Sequence, residues 1–291
     1  MTDQESLPGQ NVIGSEWDYL VVLDAARYDV FASVHDEYLD GDLQKRRSVG
    51  SATPEWAAKT FTGDHEFTYV SGNPFINSLG TPLNELRWGA SAGYEWTAAD
   101  HIADIDDVWQ TGWNEDLGAV TPSAVSEAAR EHLPAENRLV VHYLQPHAPY
   151  IRQGKGRKLE RIKAGFEDVR NSSGQHPYLR RIQSMGDRIR RRIEPWLGES
   201  ELAMRLGMLL ELNPATTLDI VQDGIEESLR EYYEQNLRLV LSEVADFVGE
   251  LDGEVVVTSD HGEAFGENGV WEHHVETYIP PLIEVPWLRL E

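Results

Sequence analysis

Several short stretches of this 291-residue chain put reactive side chains where a backbone element should begin or end. Asp260-His261-Gly262 closes the apolar run Glu254-Val255-Val256-Val257-Thr258. An aspartate and a histidine side by side at a strand end can both turn toward a cation, and the glycine lets another backbone approach closely. The same three residues also suit a turn with a capping aspartate. Ser51-Ala52-Thr53-Pro54-Glu55-Trp56 reads as a helix start, with Thr53 at the N-cap and Pro54 as the first helical residue. A hydroxyl there also faces free amides and the helix dipole, which stabilise an oxyanion or a bound phosphate or sulfate. With no cysteine in the chain, a thiolate nucleophile, a sulfur-ligated metal and a disulfide framework are excluded. Any nucleophile must be an oxygen, and any metal must be held by Asp, Glu, His or a hydroxyl.

The elements that position these residues form an alternating series. Tyr19-Leu20-Val21-Val22-Leu23 is a buried strand ending in Asp24, and Ala25 to Phe31 after it has helical character. Arg138 to Leu144 is a second such strand and leads into Gln145-Pro146-His147; Glu254 to Thr258 is a third. A helix over about 121–132 precedes the middle strand. A longer one, roughly 215–251, precedes the last and carries Ile225, Leu229, Tyr233, Leu237, Val240, Val244, Val248 and Leu251 close to a 3.6-residue period. This order predicts an α/β fold, a three-layer α/β/α sandwich with a mostly parallel central sheet, in which ligands bind beyond the carboxyl ends of the strands. The polar residues singled out above all fall at that end.

Composition adds a division of charge. The chain has 25 Lys plus Arg against 50 Asp plus Glu, a net charge of −25, and 41% hydrophobic residues, so it is a folded chain with an acidic coat and not a disordered acidic tail. Only five of the cations are lysines, which suggests a protein adapted to concentrated salt. Residues 152–192 reverse the sign, with thirteen cations against four acids, or about +9, leaving about −34 elsewhere. We read one catalytic domain over 1–291 with a basic helical insertion at about 151–215, acting as a solvated face or as a lid over an anionic substrate. The acidic remainder argues against nucleic acid. The start of the chain lacks the features of a signal peptide, and no stretch approaches 18 apolar residues, so no transmembrane segment and a cytoplasmic location are expected.

The chain resembles the alkaline phosphatase superfamily, specifically its sulfatase-like branch. The resemblance rests on the strand ending Val21-Val22-Leu23-Asp24, the helix ending Thr62-Gly63, the element His147-Ala148-Pro149-Tyr150, and the run Val257-Thr258-Ser259-Asp260-His261-Gly262-Glu263. That run continues through Gly266 to His274 and closes with Ile283-Glu284-Val285-Pro286-Trp287. By this resemblance Asp24, Asp260 and His261 hold one divalent metal ion, manganese, zinc or calcium. Thr53 is the nucleophile, with Ser51 as the alternative two residues earlier. By the same resemblance His147 contacts the transferred group, His273 and His274 lie where the substrate or leaving group is met, and His147 or His274 protonates the departing alkoxide. Arg27 points into the site or pairs with a nearby acid.

The departures narrow the class. Ala25, not a second aspartate, follows Asp24, and no cysteine is present to become the formylglycine of sulfatases. None of the ten histidines has an aspartate four residues before it, which two-metal members need. The resemblance therefore implies a single-metal enzyme similar to lipoteichoic acid synthases and phosphoethanolamine transferases, a hydrolase or transferase for phosphate or sulfate esters, with a glycan or lipid headgroup as a candidate substrate. The rival is a catalytically inactive, sulfatase-like protein that binds an anionic glycan or lipid through its basic insertion. His142 is expected to be a satisfied buried histidine, and His35, His65, His101, His132 and His176 to lie on the surface.

Overall fold

In the computed structural model, the described residues are 7–85, 93–135, 137–151 and 225–291. The basic segment 152–192, His176 and the first part of the long predicted helix lie outside them. The strands are β1 (Tyr19–Asp24), β2 (Gly41–Arg47), β3 (His65–Ser71), β4 (Ile102–Asp106), β5 (Trp113–Asn114), β6 (Ala119–Val120), β7 (Leu139–Pro146), β8 (Val255–Ser259), β9 (Ala264–Phe265), β10 (Trp271–Glu272) and β11 (Glu284–Leu290). The helices are α1 (Tyr28–Val34), α2 (Thr53–Thr60), α3 (Val108–Thr111), α4 (Pro122–Glu131), α5 (Ile225–Val248) and α6 (Pro280–Ile283).

Seven strands form one sheet in the order β2-β11-β8-β1-β7-β3-β4. The run from β8 to β4 is parallel, and β11 pairs antiparallel with both β8 and β2. This is the mixed α/β architecture with a large, mostly parallel sheet that the alternating elements predict. All six residues of β1 are buried, as a central parallel strand requires. Because side chains alternate across the pleat, Tyr19, Val21 and Leu23 pack on one face with Phe31, Val125, Leu237 and Val244 from α1, α4 and α5. Leu20 and Val22 pack on the other with Trp56, Ala57 and Phe61 of α2 and the turn after it. The two layers hold β1, β7 and β8 side by side, so Asp24, His147 and Asp260 emerge together at their carboxyl ends.

The element bounds depart from expectation where the site intervenes. α1 begins at Tyr28, because Ala25 adopts a left-handed φ of 65° and the sheet register shifts between Leu23 and Asp24. α5 stops at Val248, with Gly249 immediately beyond. α4 matches its expected span, with Thr121 accepting a capping bond from the Ala124 amide at 3.3 Å. His35, His65, His101 and His132 lie at the surface but are partly buried; His132, for example, faces Asp106 at 3.2 Å. Among the described residues no helix is long and apolar enough to cross a membrane.

Candidate active site

The strand ends are stitched together before any reactive group is placed. The Ser259 hydroxyl donates toward the carbonyls of Leu23 and His261, each at 2.6 Å, and accepts from the Ala26 amide at 2.7 Å. This ties the end of β8 to the turn after β1. The left-handed Ala25 then aims its amide at Asp260 Oδ1, 3.1 Å away, and Tyr233 of α5 locks the turn by donating to the Ala25 carbonyl at 2.7 Å. Gly262 allows the other wall to close: its amide donates to the Leu282 carbonyl at 2.8 Å, and a Cβ built there would lie 2.0 Å from the Pro281 carbonyl oxygen. Glycine after Asp260-His261 is thus a packing requirement as well as part of the motif.

Asp24, Asp260 and His261 are 3%, 0% and 0% exposed, and each offers a ligand atom within 4.8 Å of the others. His261 Nε2 lies 3.5 Å from Asp24 Oδ1 and 3.4 Å from Asp260 Oδ2. Its Nδ1 faces the Gly262 carbonyl at 2.8 Å, so the proton belongs on Nδ1 and the Nε2 lone pair points into the cluster. Two carboxylates and an imidazole with its lone pair turned inward are a donor set suited to a divalent cation.

Thr53 stands against this cluster. Its hydroxyl donates to Asp260 Oδ2 at 2.7 Å, lies 3.3 Å from His261 Nε2, and accepts from Asn73 Nδ2 at 3.3 Å. The expected N-cap is corrected: Ala52 caps α2 with extended backbone (φ −159°, ψ 155°), and Thr53 is the first helical residue. The Thr53 hydroxyl is therefore turned to the carboxylate. Asn73, which the sequence did not single out, also donates to Asp24 Oδ2 at 2.8 Å and so fixes both residues at once.

Ser51 faces elsewhere. Its hydroxyl reaches Glu55 Oε2 and the His274 carbonyl, both at 2.8 Å. His274 is exposed, and its carbonyl meets Ser51. His147 and His273 join a second group with Glu263, whose ligand atoms also lie within 4.8 Å of one another. His273 Nδ1 is 3.2 Å from Glu263 Oε2, and its ring centre is 4.9 Å from that of His147 and 4.5 Å from that of His261. Asn236 of α5 props the His147 loop by donating to the carbonyls of Pro146, His147 and Pro149 at 3.1–3.2 Å. Arg27 is paired with acids: it forks onto Asp29 at 2.7 and 2.8 Å and reaches Glu267 at 2.7 Å, and these acids hold its pKa above the ordinary range against the cost of burial.

One expectation needs revision. His142 is fully buried and bonded through Nδ1 to the Tyr69 hydroxyl at 2.8 Å, but among the described residues its Nε2 has no hydrogen-bond partner, and it sits 3.8 Å from Asp260 Oδ2. It is only half satisfied. Burial pushes its pKa down to about 4, against the pull of Asp260, so the ring is neutral behind the cluster.

No family model matches the chain, and no curated protein matches it. Solved structures do. The soluble domain of lipooligosaccharide phosphoethanolamine transferase A from Neisseria meningitidis is 14% identical, with a TM-score of 0.50 over 98% of this chain and 79% of that one. Phosphonate monoester hydrolase from Agrobacterium radiobacter is 12% identical, with a TM-score of 0.43 over 93% of this chain and 67% of that one. The zinc complex of the C-terminal periplasmic domain of EcEptC from Escherichia coli is 14% identical, with a TM-score of 0.40 over 98% and 77%. The first of these likenesses shows a shared fold, a mixed α/β architecture around a large, mostly parallel sheet.

Proposed function

We propose that this chain is a single-domain, metal-dependent enzyme that transfers or hydrolyses a phosphate ester, with Thr53 as its nucleophile. One observation carries the reading: a buried hydroxyl on the first turn of a helix, 2.7 Å from a carboxylate and 3.3 Å from an imidazole nitrogen that together offer a cation site. Asp24, Asp260 and His261 would hold the ion. When bound, a divalent cation supplies charge neutralisation for an anionic ester and lowers the pKa of a neighbouring hydroxyl.

The chain's own residues account for the rest. Asp260 orients the Thr53 hydroxyl through its hydrogen bond, Asn73 fixes the hydroxyl from the other side, and the start of α2 favours the ester's negative charge. Thr53 gives up its proton along the hydrogen bond to Asp260 Oδ2, and attack by its Oγ1 forms an oxygen–phosphorus bond and breaks the bond to the leaving alkoxide, which takes up a proton. Water or a second hydroxyl then displaces Thr53 and restores it. We assign delivery of that proton to His147 and His273, which group with Glu263; His273 replaces His274, whose residue is exposed and whose carbonyl meets Ser51. A threonine in place of a modifiable cysteine supports phosphate over sulfate.

The test is turnover of a panel of aryl phosphate monoesters, diesters and sulfates with manganese, zinc or calcium. Thr53→Ala is expected to lower turnover by at least ~10³-fold and Ser51→Ala by far less. Loss in Ser51→Ala with Thr53→Ala active would move the nucleophile, and a wild-type protein inert on the whole panel would favour a binding protein.

A further inference from the structure

The proposed reaction leaves unused a carboxylate in the first turn of α2. The Glu55 side chain is fully buried, and five donors converge on it. Two come from Ser51, its amide at 3.0 Å and its hydroxyl at 2.8 Å, and a third is Lys59 on the same helix. The other two belong to a different part of the chain: the Glu276 amide at 2.9 Å and the Tyr278 hydroxyl. Ser51 adds to the same junction, accepting from the Thr277 amide at 3.0 Å and reaching the His274 carbonyl at 2.8 Å.

The segment so held, residues 273–279, is irregular and runs from β10 to α6. Glu276 within it and Glu272 just before it have left-handed φ values of 59° and 60°. A non-glycine residue holds such a conformation only where its surroundings impose it, at a cost on the order of 1 kcal/mol or more each. Around Glu276 the contacts that impose it converge on Glu55 and Ser51. His273, at the near end of the segment, stands over His261 with ring centres 4.5 Å apart.

We propose that Glu55 is a positioning residue: by capturing both the start of α2 and the strap 274–278, it sets His273 relative to Thr53. The strap stands on its own contacts, while the consequence for turnover rests on the function proposed above. The bland alternative is that Glu55 merely stabilises its own helix through the i,i+4 pair with Lys59.

Amide hydrogen exchange of the 291-residue chain separates the two. Glu55→Gln removes the charge and turns one acceptor into a donor, so exchange at the Glu276 and Thr277 amides should rise roughly tenfold. With turnover measured in parallel, kcat should fall more than KM changes. Lys59→Met removes the helix pair together with the Lys59 contact to the Tyr278 hydroxyl at 3.0 Å, but leaves the acceptors of both amides, Glu55 and Ser51, in place; it should lower Tm while both amides stay protected and turnover stays within about twofold. Tyr278→Phe removes the hydroxyl that joins the strap to Glu55 and Lys59, leaves the Glu55–Lys59 pair intact, and should raise the same exchange by a smaller factor, about threefold; it carries the test if Glu55→Gln does not fold. Unchanged protection in Tyr278→Phe and in any folded Glu55→Gln overturns the proposal, as does a Lys59→Met variant that reproduces the Glu55→Gln effects. If wild-type turnover is absent, the functional reading fails while the exchange result still decides the strap.

Discussion

Asp260 serves three neighbours with one carboxylate. Oδ1 accepts from the amides of Ala25 and His261, and Oδ2 from the Thr53 hydroxyl, all away from solvent. Removing it leaves those donors buried and unpaired, at roughly 1–3 kcal/mol each, and deletes one of the three ligand groups. Asp260→Ala is therefore expected to fold less stably and to lose a stoichiometric metal that the wild type retains; elemental analysis after dialysis checks this, and an ion kept by the variant would contradict it. The places of Asp24, Thr53, Asp260 and His261 at strand ends and a helix start were legible in the pattern, while their reading as one set came from the family resemblance. Asn73 was not, since its contacts with Asp24 and Thr53 exist only once β3 lies beside β7 and β7 beside β1. The half-satisfied state of His142 was equally invisible: a buried strand position is readable from pattern, but a missing partner for one ring nitrogen is not.

Among the elements, the turns beyond the strands carry the precision. Gly262 lies where the loop from β8 presses against α6, and any side chain there meets the Pro281 carbonyl. Gly262→Ala is expected to cost roughly 1–3 kcal/mol in chemical denaturation and to weaken metal binding by displacing His261. Unaltered stability would show that this wall yields. The alternation of strands and helices was readable because the central parallel strands are continuous apolar runs. The start of α1 was not: helical propensity runs on from Ala25, but bonds from Asp260 and Tyr233 to that residue hold its backbone left-handed. The start of α2 shifted by one residue for a related reason, since the Thr53 hydroxyl bonds to Asp260 and caps no amide.

For the whole molecule, the layered fold brings groups more than two hundred positions apart in the chain within hydrogen-bonding distance, Thr53 and Asp260 among them. The acidic coat acts on the same scale. A net charge of −25 repels itself at low ionic strength, so thermal stability is expected to rise between about 0.1 M and about 2 M KCl as screening shortens. A Tm that is flat or falling across that range would contradict the salt-adapted reading. The site itself is tested most directly by trapping the covalent species: wild-type protein is mixed with a turned-over aryl phosphate and manganese or zinc, quenched in acid, digested and mapped by mass spectrometry. The expected result is phosphate on Thr53 that disappears when a chelator is added before substrate; phosphate on Ser51, or full turnover in a Thr53→Ala variant, would contradict it.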